Sequence, residues 1–220
     1  MIGYILRSYK YFQPQSWSVI FVVSEYNGSL TREQFLFFEI RVVASLLLQG
    51  LSRDEILEKI REENLFQFPT ERMISSIAGT CFKRIEALES DTLVYCLAHS
   101  SVDVAKQINL YAMMKYNRVV WDFMTTVIAE KFRTQDFEFS RKDLNIFFFR
   151  LQEQNDSVAA WSDGTVNKIK QVLTKTLVEC DYLDSTKSTR LNPVSISPEL
   201  EDEIRANNDN AALAAFNCFR

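Results

Sequence analysis

Residues 102–132, VDVAKQINLYAMMKYNRVVWDFMTTVIAEKF, decide the fold class. Apolar side chains recur there with a helical period, over 102–116 and again over 119–132, and they cover much of the circumference of both segments. A helix that is apolar nearly all round is stable only when neighbours surround it, so these two belong at the centre of a helical bundle. Working outward, Gly50 reads as a left-handed residue ending a helix that carries Phe35, Phe38, Val42 and Leu46, with Thr31 as its cap. Ser52 caps the next helix, Glu55 completes a capping box, and Ile56, Leu57 and Ile60 form its inner stripe. Pro69 and Thr70 open a third helix with Met73, Ile77, Phe82 and Ile85 on its apolar side, and 91–98 is a fourth.

The rest of the chain fits a mainly α protein. Its 220 residues are 47% apolar, enough for a core, and 17 Phe against 5 Gly and 4 Pro leave little material for tight turns. A formal net charge of −4 excludes a general attraction to polyanions, so any nucleic-acid site must be a local patch. Cys81, Cys96, Cys180 and Cys218 are scattered, which argues against a zinc site or disulfide framework and suits a reducing cytoplasm. In residues 1–26, Arg7 and Lys10 precede an apolar run over 17–23, but the run is short, is interrupted by serine and lacks a small-x-small cleavage site. It is not read as a secretion signal. No stretch reaches the roughly 18 uninterrupted apolar residues of a membrane span.

A soft boundary falls near 134–140, where Phe137-Glu138-Phe139 alternates like a short strand. The organisation expected is an N-terminal extension (1–27), a helical domain with a helix-turn-helix (28–135), and a C-terminal winged-helix-like domain (136–220) with an acidic tail ending in a loosely held helix. The last assignment rests on a helix over 140–152 capped by Ser140, a loop containing Trp161, a helix over 164–180, and a Ser/Thr/Pro-rich stretch over 184–198 suited to a small β-wing or an ordered arm. On the second of these helices Thr165, Asn167, Lys168, Lys170 and Lys175 form a polar, basic face, with Lys187 and Arg190 following it. Lysines there suit phosphates, and Asn suits an adenine edge. Arg72, Lys83 and Arg84 form a second candidate DNA-contacting patch. Against both stands the ordinary reading, that amphipathic surface helices carry lysines anyway.

For catalysis the sequence offers little. His99 is the sole histidine, and there is no phosphate-binding G-x-x-x-x-G-K-[ST] loop, no G-x-G-x-x-G turn and no E-x-K or D-x-K nuclease signature. Neither catalytic residues, metal ligands nor a cofactor are expected.

Glu39-x-Arg41 leading to Ala44, Leu47, Leu48, Gly50-Leu51-Ser52 and Glu63-Asn64, followed by Tyr111-Ala112, Trp121-Asp122-Phe123, Glu130-Lys131-Phe132 and Trp161-Ser162, carries a resemblance. In that order and spacing the chain resembles the BrxA family of the BREX (bacteriophage exclusion) phage-defence systems, over roughly residues 26–196. The resemblance implies a small cytoplasmic helical protein with a NusB-like part. It implies helix-turn-helix or winged-helix elements that bind double-stranded DNA. It also implies partners encoded alongside: a DNA methyltransferase, an ATPase and an alkaline-phosphatase-like protein. The alternative is an adaptor that docks those BREX proteins with little DNA contact. Residues 1–26 precede the family's usual beginning.

Overall fold

The computed structural model describes residues 25–219. After a 3₁₀ turn (Gly28–Thr31), eleven helices follow, and no strand is found among the described residues. The bundle consists of α1 (Phe37–Leu48), α2 (Arg53–Glu62), α3 (Glu71–Leu88), α4 (Asp91–His99) and α5 (Val102–Tyr116). A long helix follows, made of α6 (Arg118–Asp122), a π-helical turn (Phe123–Ile128) and α7 (Ala129–Arg133). Helices α1, α3, α4 and α5 pack on one another, and α2 covers α3. On α5, Ile108, Leu110, Tyr111, Ala112, Met113 and Met114 are buried, the all-round burial that its sequence demands.

The caps form largely as expected. Ser52 and Glu55 make the capping box, Gly50 sits at φ 84, and Thr70 receives the Met73 N–H. The first helix departs from expectation: Thr31 closes the 3₁₀ turn through the Gly28 carbonyl, and α1 begins only after Leu36, which takes a left-handed conformation at φ 53. Met73, expected on the apolar side of α3, is exposed, while Ile74 takes the inner position.

Downstream lie α8 (Arg141–Gln154), the single turn α9 (Asp156–Ala159), α10 (Asp163–Glu179), α11 (Pro198–Ala206) and a 3₁₀ helix (Asn210–Phe216). Ser140 opens α8 with a second capping box, through Asp143. The β-wing is not formed. The stretch after α10 makes a single antiparallel bridge, Glu138 to Arg190, flanked by the Phe139 N–H to Thr189 carbonyl and Leu191 N–H to Phe137 carbonyl bonds. It then crosses α5, where Gln107 donates to the Ser195 carbonyl and accepts from the Ser197 N–H. A hairpin needs a returning strand, and this segment is committed to α5 instead, so it is an ordered arm.

Nor is the tail loosely held. Leu200, Ile204, Ala212, Leu213, Ala215 and Phe216 are buried, and the 3₁₀ helix packs on the π turn and α7. Asp209, 6% exposed, accepts from the Tyr111 hydroxyl at 2.5 Å and pairs with Lys115 at 3.1 Å, while Asn207 donates to the Leu88 carbonyl. Burial, then the bond to Asp209, pushes the Tyr111 phenol far above its ordinary range. Asp209→Ala is expected to cost about 2 kcal/mol, because Lys115 keeps its second partner, Glu89, at 2.7 Å. Urea unfolding measures the loss, and hydrogen exchange should show it concentrated in residues 198–216.

Candidate nucleic-acid interface

Helices α8 and α10 meet through Lys170. The Lys170 ammonium donates to Asn145 Oδ1 at 2.9 Å and rests 5.5 Å from the centroid of the Phe148 ring. The inner face of α10 is Val166, Ile169, Val172, Leu173, Thr176 and Leu177, so 3.6-residue periodicity turns Asn167, Lys168, Gln171 and Lys175 outward, and all four are exposed. The inner face of α8 is Leu144, Phe147, Phe148 and Leu151, with Phe147 edge-on to Phe123 of the π turn at 5.5 Å. That turns Arg141, Lys142, Asn145, Ile146, Phe149 and Arg150 outward.

The DNA-contacting residues expected from sequence therefore divide into groups. Asn167, Lys168 and Lys175 share the outer face of α10. Lys170 is half-buried in the α8–α10 crevice, where burial holds its ammonium below the usual lysine range, with Asp163 opposing and Arg141 reinforcing that shift. Thr165 is half-buried, its methyl turned towards Gly28, where a Cβ would stand 3.4 Å away. Arg190 is exposed, lies over the Phe137 ring at 5.7 Å, and is carried by the bridge to the segment leading into α8. Lys187 is exposed in a turn closed by Ser185 and Ser188.

Arg72 and Lys83 are exposed but sit on α3, which packs on α1, α2, α4 and α5 rather than beside α10. Arg84 is a correction. It is 1% exposed, and its guanidinium donates to the carbonyls of Glu33, Gln34 and Phe35 at 2.8–3.0 Å, so it holds the N-terminal loop and is not available to a phosphate. Sequence placed Arg84 on the wrong face because its neighbours Phe82 and Ile85 are both buried too, and only tertiary packing shows how wide the buried arc of α3 is.

Arg141, Lys142 and Arg150, absent from the sequence-based set, are exposed on α8. Their signal was the Ser140 cap, which fixes the α8 register, combined with the Phe147-Phe148 pair that fixes its inner face. Among the described residues, none of Arg141, Lys142, Arg150, Lys168, Lys170, Lys175, Lys187 or Arg190 forms an ion pair. Lys59, Lys106, Lys115, Arg118, Lys131 and Arg133, by contrast, all do.

The start of α8 is anchored by Lys131 on α7, which reaches Asp143 at 3.0 Å, Asp136 at 3.2 Å and the Glu138 carbonyl. Burial alone would raise the Asp143 carboxyl, but Lys131 and the Ser140 N–H hold it below its usual value. A depressed carboxylate adds stability above its unfolded pKa of about 3.9, and that stability is lost as the pH falls through the folded value. Lys131→Met is therefore expected to be less stable than the parent at pH 7 and to lose less on going to pH 3, as read by urea unfolding at both pH values.

The sequence profile of the BrxA family matches residues 24–208. The chain belongs to the BrxA family. BREX protein BrxA of Bacillus cereus (strain H3081.97) is 34% identical over 185 residues, 84% of this chain and 92% of its own length. BREX protein BrxA of Paramagnetospirillum magneticum is 28% identical over 80% of this chain and 87% of its own length. A crystal structure from Magnetospirillum magneticum superposes with a TM-score of 0.75 at 25% identity, covering 88% of this chain and 98% of that one. The BrxA motifs read from sequence do structural work: Asp122 accepts from Tyr26 at 2.5 Å and from Arg118, Lys131 anchors α8, and Tyr111 holds the tail. Residues 1–24 of the N-terminal extension, with the apolar run over 17–23, lie outside the described residues, and no described helix is long and apolar enough to cross a membrane.

Proposed function

We propose that this BrxA-family chain is a non-enzymatic accessory protein of a BREX phage-defence system that binds double-stranded DNA, and that the α8–α10 face is the binding surface. In the division at residues 135 and 136 expected from sequence, that face belongs to the C-terminal unit. The observation that carries the reading is the set of exposed cations without carboxylate partners on two helices joined through Lys170 in a net acidic chain. Cations held free of ion pairs offer their charge to an external anion, and phosphates displace condensed counterions from such a surface. Lys168, Lys175, Arg141 and Lys142 hold phosphates, while Asn167 and Gln171 at the centre of the α10 face suit adenine edges. Lys187, Arg190 and Thr165 border the surface, and Arg72 and Lys83 form a separate, weaker patch.

The test is fluorescence anisotropy of the protein with a random-sequence duplex of about 30 base pairs across a range of salt. Binding that weakens steeply with salt, by about 0.9 log units per phosphate contact for each log unit of salt, supports the reading. No binding at low salt overturns it. A second reading, an adaptor that docks the BREX methyltransferase, ATPase or alkaline-phosphatase-like protein, is favoured by the exposed carboxylates Asp54, Glu55, Glu58 and Glu62 of α2. Co-purification of such a partner that survives nuclease treatment would favour the adaptor.

A further inference from the structure

Phe149 is 61% exposed and Ile146 is 40% exposed, on the outer side of α8. Set one helical turn apart among cations, these two side chains form a small apolar spot that a ligand could cover. Their surroundings say what: Lys142 and Arg150 share the outer face of α8 with them, and Asn145 leads across the crevice to Lys170. Glu153, one turn beyond Phe149, is the exposed carboxylate of that face, since Asp143 is held by Lys131.

An exposed aromatic ring set among cations suits a polyanion that also offers flat apolar surfaces. In a duplex the base faces are stacked away, whereas in a single strand they are free to pack on such a ring while the phosphates meet the cations. We propose that the outer face of α8 binds single-stranded DNA, with an unpaired base stacked on Phe149 against Ile146 and the flanking phosphates on Lys142 and Arg150. This rests on the reading that the α8–α10 surface holds phosphates, and it adds a ligand that duplex binding through α10 does not need.

The test compares the full chain with Phe149→Leu and Phe149→Trp, using oligothymidylate of about 20 nucleotides and a duplex of about 30 base pairs. Phe149 is exposed, so folding should be intact in both variants, and thermal unfolding checks it. The parent is expected to bind oligothymidylate. Phe149→Leu should weaken that binding about 5- to 150-fold while duplex affinity stays within about twofold. Phe149→Trp should retain it, with indole fluorescence quenched on binding. The proposal falls if the parent does not bind oligothymidylate, if Phe149→Leu binds it as tightly as the parent, or if both ligands weaken equally. It also falls if the parent self-associates through this face and Phe149→Leu is monomeric by sedimentation. Duplex binding that depends on Lys168 and Lys175 without single-strand binding sinks this inference alone, whereas loss of both ligands in the parent sinks the phosphate reading with it.

Discussion

Reversing Lys168 and Lys175 to glutamate together is expected to lower duplex affinity by on the order of tenfold or more for every DNA sequence. The slope of log affinity against log salt should flatten by about 1.8, twice the 0.9 that each lost phosphate contact contributes. Both ammonium groups are exposed on the outer face of α10 and neither forms an ion pair, so the substitutions remove no contact that the fold uses. Unfolding should shift by less than about 0.5 kcal/mol. Lys170 is the poorer choice for such a test, because its bond to Asn145 and its place over Phe148 give it a packing role. An unchanged slope in the folded double variant would remove α10 from the interface. A loss confined to particular DNA sequences would mean that these lysines read bases rather than phosphates.

Arg84→Ala is expected to destabilise the protein by about 3–5 kcal/mol, from the donors lost to three carbonyls together with the cavity left in the core. The carbonyls of Glu33, Gln34 and Phe35 lose their donor, that of Phe35 in a buried place, and the removal of the 1% exposed arginine side chain leaves a cavity. Asn109, fully buried on α5, would remain as a partner for the Phe35 carbonyl at 2.7 Å, which keeps the loss from being larger. The loop that Arg84 holds turns through Leu36 in a left-handed conformation, a strained entry to α1 that stands only while its surroundings dictate it. In a protein of this size the loss should lower Tm by roughly 10 °C. Arg84→Lys should recover little of it, since one ammonium cannot span three carbonyls. A variant with parental stability would show that the loop is held by Asn109 and by the Glu33 bonds to Ser29 and Tyr116 alone.

The Lys131 and Asp209 predictions concern the same physical theme. A few buried charges on the central helices fix the segments that arrive from far along the chain: the start of α8 through Lys131, and the tail through Tyr111, Lys115 and Asp209. The proposed DNA face is therefore anchored at the start of α8 by Lys131 of α7, and loosening that anchor should alter binding indirectly.

Much of this was determined by the sequence itself. Local rules act over a few residues, so the capping boxes at Ser52 and Ser140, the left-handed Gly50 and the all-round apolar pattern of α5 appear in the structure where the chain spells them. The outer face of α10 was legible for the same reason, since one buried stripe fixes the opposite one. The tertiary structure decided the features that depend on partners distant in sequence. Arg84 carries a charge that propensity places outside, yet three carbonyls some 50 residues away draw it in. The stretch after α10 has strand-like composition, but a strand needs a neighbour, and the one it meets beyond a single bridge is α5. The acidic, Asn-rich tail looked loosely held because its buried counterparts Tyr111 and Lys115 lie about 100 residues upstream. Free energies of that kind arise only when the chain closes on itself, and no local pattern records them.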